Sequence, residues 1–247
     1  MDRELLPASS RPVLASYNIH GCIGPDKQYD RRRIATVLRE INADILSVQE
    51  LHAHGVGPET GDEVAFLTAV AGGEVVLGTT FTGGRGAYGI ALFSRLPILA
   101  VRRIDLHVPP HEPRCALDVD LAVDCGTLRV ITMHLGLRPW ERRLQVQRLN
   151  ESIEPNPQRL TVVLGDSNEW GFLARPLRLL ETRFGPSSRV RTWPSWRPLF
   201  ALDRLWVQPR EALAAVWAHT SPTARRASDH LPLVGLLDII PPGALHP

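Results

Sequence analysis

The segment Gly165-Asp166-Ser167-Asn168 follows directly on the apolar run Leu160-Thr161-Val162-Val163-Leu164. A buried strand thus delivers a carboxylate and a carboxamide two residues apart. On an extended chain, side chains at i and i+2 point to the same side. Asp166 and Asn168 can therefore address one small ligand, the acid handling a proton or metal and the amide fixing an oxygen or water. Four further apolar runs begin or end in similar groups: Asn18 and His20, Gln49-Glu50, Thr132 and His134, and Asp229-His230 ahead of Leu231-Pro232-Leu233. Adjacent residues on a regular strand face opposite ways, so Asp229 and His230 share a site only from irregular backbone, which Ser228 and Pro232 favour.

The elements that must position these groups are mostly strands. Runs at Val13 to Ile19, Ala43 to Val48, Glu74 to Phe81, Gly89 to Ser94, Ile98 to Leu106, Ala116 to Val123 and Leu128 to Met133 read as strands. So do 160–164, Ala201 to Val207, Leu213 to Ala218 and Leu231 to Leu237. Asp30 is a good N-cap for a helix carrying Ile34, Val37, Leu38 and Ile41. Further helices are predicted over Asp62 to Val70, Pro139 to Ile153 and Leu173 to Glu181, with Pro139 tolerable in a first turn. A Gly-rich loop runs to Gly61, and Phe184 to Phe200, rich in Pro, Trp and Arg, reads as an ordered loop. Many strands beside a minority of helices imply an α/β fold with two sheets stacked face to face and helices outside, in one domain over 1–247.

Bulk properties narrow the partners. With a formal net charge of +2, no strong whole-molecule field favours nucleic acid or membrane. Lys27 is the lone lysine, and the scattered arginines read as a coding bias. Cys22, Cys115 and Cys125 follow no metal-ligand spacing, which suits a reducing, cytoplasmic compartment. No N-terminal stretch resembles a signal peptide, and no run approaches membrane-spanning length. His52 and His54 lack a third ligand at suitable spacing and read as loop residues.

The chain resembles the endonuclease/exonuclease/phosphatase superfamily of metal-dependent phosphoester hydrolases. The matching pieces are Ser16-Tyr17-Asn18-Ile19, Ser47-Val48-Gln49-Glu50, Thr132-Met133-His134-Leu135, Gly165-Asp166-Ser167-Asn168, Leu202-Asp203-Arg204-Leu205 and Ser228-Asp229-His230-Leu231-Pro232. Each is weak alone, but they stand in the family's order across almost the whole chain. The resemblance implies a four-layer α/β/β/α sandwich of two mainly antiparallel sheets, and a Mg²⁺-dependent activity with Mn²⁺ as the alternative ion. Such an ion prefers oxygen ligands and keeps several waters, so one carboxylate with weak neighbours suffices. By that resemblance Glu50 is the first choice as metal ligand, with Asn18 and Asp229 nearby. Asp166 would hold or deprotonate the attacking water and Asn168 would orient it. His230, its tautomer held by Asp203, would carry a proton or stabilise phosphoryl charge, and His134 would bind phosphate or protonate the leaving group. Either Asp166 or His230 can be the base.

Arg114, at the start of a strand, is a candidate phosphate contact. Trp193 and Trp196 form either an aromatic wall for a substrate or loop packing. Two departures stand out: Ile90 occupies a position where the family often has Asn, and six residues separate Trp196 from Asp203, unlike the spacing in inositol polyphosphate 5-phosphatases. The implied substrate is a phosphodiester of nucleic acid or of a phospholipid headgroup. The alternatives are a small phosphomonoester or a binding protein that kept the fold without catalysis.

Overall fold

The computed structural model describes residues 11–52, 63–83, 86–124, 126–154, 159–171 and 175–239. The Gly-rich loop to Gly61, His54, Asp62, Cys125 and Leu173 lie outside them. In chain order the strands are β1 (Val13–Asn18), β2 (Ile45–His52), β3 (Glu74–Gly83), β4 (Gly86–Ser94), β5 (Ile98–Asp105) and β6 (Cys115–Val123). They continue with β7 (Gly126–His134), β8 (Thr161–Asp166), β9 (Asp203–Gln208), β10 (Leu213–Ala218) and β11 (Leu233–Leu237). A six-stranded sheet has the order β10-β11-β1-β2-β4-β3, and a five-stranded sheet the order β5-β6-β7-β8-β9. Each sheet contains one parallel pair, β1 with β2 and β7 with β8, and is otherwise antiparallel.

Helix α1 (Arg31–Ile41) starts where the sequence requires, with the Asp30 side chain accepting from the backbone N–H groups of Arg32 and Arg33. Together with α2 (Glu63–Ala71), α1 covers the outer face of the six-stranded sheet, burying Ile34, Val37, Leu38 and Leu67 against Tyr17, Leu46, Val48 and Phe93. Helices α3 (Pro139–Ser152) and α4 (Arg178–Phe184) cover the outer face of the five-stranded sheet through Val146, Leu149 and Leu180. The resulting order is helix, sheet, sheet, helix, the α/β sandwich expected from the sequence. The short α5 (Ala224–Ala227), which packs on the first core, was not anticipated, because four residues carry no helical period. His52 ends β2 with its ring 5.0 Å from that of Tyr88, so it belongs to a strand and not to a loop. No helix among the described residues is long and apolar enough to cross a membrane.

What positions the site is a change of character along the inner faces. Side chains alternate across a strand, so Leu14, Ser16 and Asn18 of β1 all face the second sheet. The same holds for Ile45, Ser47 and Gln49 of β2, for Val130, Thr132 and His134 of β7, and for Val162, Leu164 and Asp166 of β8. The apolar members fill the space between the sheets. The polar members all stand toward the same end, because β1, β2, β7 and β8 present their carboxyl ends there. Halfway, Ser47 and Thr132 are joined across the sheets by a hydrogen bond, and the Gln49 amide donates to Ser47 Oγ at 2.6 Å.

The opposite end carries a charged cluster on the outer face of β5–β7, past the helices. Asp118 is buried between Arg129, with N–O distances of 2.6 and 2.9 Å, and Arg102, at 2.9 Å. Burial pushes the Asp118 carboxyl up, but the hydrogen bonds from both guanidinium groups outweigh it and hold its pKa below the ordinary value. Its stabilising contribution is therefore present above the unfolded-state value of about 3.9 and is lost as pH falls through the lower folded value. Asp118→Asn leaves buried Arg129 poorly paired and should cost about 3 kcal/mol at neutral pH. Denaturant unfolding should show that cost shrinking as the pH is lowered toward 3, on the order of the carboxylate range. Equal stability of variant and wild type at neutral pH would refute the assignment.

Candidate active site

Asn18 ends β1, and its amide nitrogen donates to Glu50 Oε1 and to Asp166 Oδ2, each at 3.0 Å. Glu50 belongs to the first sheet and Asp166 to the second, so one carboxamide joins carboxylates from both. Glu50 sits at an irregularity in the pairing of β2 with β4, between Val48 and Leu51, with φ of 58°. A bulge re-aims a side chain, and a non-glycine residue held in the left-handed region marks strain kept for a purpose. Here the bulge releases Glu50 from strict alternation, which would place it on the face opposite Gln49.

Asp166 is buried at the centre of the group. Its Oδ1 accepts from the backbone N–H of Asn168 at 2.8 Å. Asn168 has φ of 49°, so the chain does not stay extended after β8 as expected. The carboxylate closes an Asx turn instead, and this turn brings both side chains into one site. The same device follows β1, where Asn18 Oδ1 accepts from His20 N at 3.0 Å and His20 has φ of 49°. The Asn168 amide nitrogen then donates to the Leu135 carbonyl at 2.9 Å and lies 3.2 Å from His134 Nε2.

Two imidazoles flank Asp166. His230 Nε2 lies 3.7 Å from Asp166 Oδ2, while its Nδ1 is 2.9 Å from Asp203 Oδ2. Asp203 begins β9 opposite Asp166 in register and also accepts from Thr192 Oγ1 at 2.6 Å. Burial opposes the charge on His230, but Asp203 and Asp166 more than offset it and hold the imidazolium up to about 10. His134 Nε2 is 3.6 Å from Asp166 Oδ2 and 3.9 Å from Glu50 Oε1. Its pKa lies well below the ordinary value because of burial and then the Arg114 guanidinium, whose Nη1 is 2.7 Å from His134 Nδ1. A guanidinium only donates, so this short contact makes Nδ1 the acceptor and puts the proton of neutral His134 on Nε2, facing the carboxylates; the Asn168 amide then donates to the Leu135 carbonyl and not to the ring. One ring is thus charged and the other neutral. Asp166 itself is raised to about 6, burial being the largest cause.

Asp229 stands beside this group. Its Oδ2 accepts from Trp193 Nε1 at 3.1 Å, and its Oδ1 is 3.7 Å from His20 Nδ1. Irregular backbone does place Asp229 and His230 together: Ser228 Oγ donates to the Asn18 carbonyl at 2.7 Å, and His230 N to Ser228 Oγ at 3.2 Å. All nine candidate residues from the sequence therefore lie in this cleft or against a member of it. Sequence reasoning missed Thr192, the Trp193–Asp229 contact and the Ser47–Thr132 bond. These depend on pairings across the fold and leave no signal in local spacing.

Whether these residues suit a divalent cation can be judged from the donors. No group of three or more His, Cys, Asp and Glu poised around one point occurs among the described residues. A cage for a soft metal is therefore missing there, while carboxylate and amide oxygens of the kind a hard, water-keeping cation uses are present in Glu50, Asn18 and Asp229. The Glu50 side chain is the more accessible carboxylate of the central pair, at 24% against 1% for Asp166. This fits Glu50 as the group that meets a cation and Asp166 as the group that meets a proton.

Residues 15–230 match the model of the Endonuclease/Exonuclease/phosphatase family, and the chain belongs to that family. Its fold is shared with an endonuclease/exonuclease/phosphatase from Beutenbergia cavernae, with a TM-score of 0.72 at 21% identity, covering 92% of this chain and 71% of that one. A mannosyl-6-phosphatase from Bacteroides thetaiotaomicron has a TM-score of 0.68 at 14% identity, covering 92% and 99%. Truncated Caenorhabditis elegans TDP2 has a TM-score of 0.64 at 17% identity, covering 92% and 97%. No curated protein sequence matches the chain.

The two rings give a direct test of this electrostatic layout. In protein kept metal-free with EDTA, the His230 ring should remain imidazolium until the pH approaches about 10. The stability linked to that proton is full below the free-histidine value of about 6.5 and is lost as pH rises through the folded value. Asp203→Asn should move the His230 midpoint down by about one unit or more in an NMR titration. A wild-type midpoint near the free-histidine value would contradict the pairing.

Proposed function

We propose that the protein is a divalent-metal-dependent phosphoester hydrolase, acting on a phosphodiester of nucleic acid or a phospholipid through in-line attack of water. The observation that carries this reading is the Glu50–Asn18–Asp166 bridge between the sheets, with charged His230 on one side and neutral His134 on the other. Hydrolysis of such an ester requires charge on the phosphoryl oxygens to be met, a water to be aligned and the leaving oxygen to gain a proton. Glu50, with Asn18 and Asp229, is the group suited to hold Mg²⁺ or Mn²⁺, which supplies positive charge against the phosphoryl oxygens when bound.

The remaining roles follow from charge state. With a pKa raised to about 6, Asp166 is ionised at neutral pH yet basic enough to accept the proton of a water. His230 already holds its proton, so it serves as a donor and a positive charge while Asp203 fixes its ring. That division favours Asp166 over His230 as the base. Asn168, anchored to the Leu135 carbonyl, orients the water or a phosphoryl oxygen. His134 offers its Nε2 proton to the same space, and buried Arg114 holds that tautomer and stands ready as a phosphate contact. Cys22 and Cys115 are free, buried thiols, which accords with work in the cytoplasm.

Glu50→Gln keeps the shape and removes the one accessible carboxylate of the central pair. It should lower the turnover of a chromogenic phosphodiester by about a thousandfold or more in Mg²⁺ while leaving the thermal unfolding midpoint unchanged. A rate equal to wild type at saturating Mg²⁺ would remove Glu50 from the chemistry. Activity undiminished by EDTA would remove the metal.

A further inference from the structure

The mouth of the cleft carries an apolar band. Leu137 and Trp140 follow the strand that ends in His134, Trp170 follows Asn168, and Trp196 and Leu199 follow Thr192. Their exposure is large for such side chains: 65% for Leu137, 62% for Trp196 and 50% for Trp140. The segments that carry these side chains are tied together. The Arg142 guanidinium donates to the Leu137 carbonyl at 2.8 Å and lies 3.2 Å from Glu169 Oε2, tying the turn with Leu137 to the loop with Trp170. Trp170 meets Trp193 edge to face at 4.7 Å between ring centroids, and Leu199 N donates to the Trp193 carbonyl. Trp193 in turn holds Asp229, so the band is built onto the site itself.

Charge in these segments has one sign at the surface. Arg138, Arg143 and Arg197 are exposed, and their guanidinium groups have no carboxylate partner among the described residues. The acids of the same segments, Glu141 and Glu169, are buried. A nucleic acid would use the arginines and the aromatic faces, but it leaves exposed leucines without a function. A bilayer uses all of them: tryptophan favours the headgroup region, leucine the acyl boundary, and arginine the anionic phosphate.

We propose that this band is an interfacial docking surface for an anionic phospholipid bilayer, which presents a lipid headgroup phosphoester to the adjacent cleft. The inference deepens the hydrolase proposal. Vesicle binding is read in EDTA, so its failure is seen apart from a failure of hydrolysis.

The test is co-sedimentation of the full chain with vesicles of phosphatidylcholine alone or mixed with phosphatidylglycerol, at low and high salt. The protein should partition onto the anionic vesicles and be partly released by salt, which screens arginine–headgroup attraction. Leu137→Ser combined with Trp196→Ser, both at highly exposed positions, should weaken partitioning by about tenfold or more. Arg138→Glu with Arg197→Glu should abolish the preference for phosphatidylglycerol. Both variants should turn over a soluble chromogenic phosphodiester at the wild-type rate. Absence of partitioning, or partitioning unchanged in the Leu137/Trp196 variant, would overturn the proposal. So would loss of single-stranded DNA binding in that variant without any vesicle binding, which would assign the band to nucleic acid.

Discussion

Asn18 is asked to hold two carboxylates from opposite sheets around one amide group, and the cleft is organised by the charge problem this creates. Carboxylates brought together inside a protein repel, and burial raises the free energy of each ionised form. Two solutions are built in. On the Asp166 side the His230 imidazolium, itself secured by Asp203, supplies positive charge. On the Glu50 side the carboxylate stays partly open to solvent, where a cation can reach it. Neutral His134 between them adds no charge and leaves a donor pointing at both acids. The histidines differ because His230 is hydrogen-bonded to Asp203, whereas His134 is buried with the Arg114 guanidinium against its other nitrogen.

The fold serves this arrangement through one repeated pattern. Inner-face residues run from aliphatic to polar along β1, β2, β7 and β8, so a dry core and a polar, ionisable rim share one set of strands. The Ser47–Thr132 bond marks the transition. The Arg102–Asp118–Arg129 cluster braces the five-stranded sheet away from the left-handed backbone at His20, Glu50 and Asn168. Backbone held in sparsely populated conformations depends on surrounding structure that over-determines it.

Much of this was legible in the sequence, and the exceptions have physical causes. Strand ends could be read because each apolar run stops at a polar group, and the order of the runs carries the family resemblance. Asp30 announced α1 through its capping oxygen. The route by which Asn168 reaches the site could not be read, since period-two reasoning assumes extended backbone and the Asx turn replaces it. Nor could the bulge at Glu50, because it is set by pairing with β4 and not by neighbours in sequence. The tautomer of His134 depends on Arg114, twenty residues away in sequence, and the Asp118 cluster depends on cross-strand register. Nothing in its sequence neighbours marks Trp170, whose ring packs on Trp193 beside the cleft.

The most direct measurement is the anomalous scattering of crystals grown with Mn²⁺. One peak should appear in the cleft in contact with a Glu50 carboxylate oxygen, with Asn18 and Asp229 as its nearest other protein groups. Diffraction showing no manganese there, or manganese bound only at a site remote from Glu50, would contradict the idea that these strand ends converge to hold a hard cation.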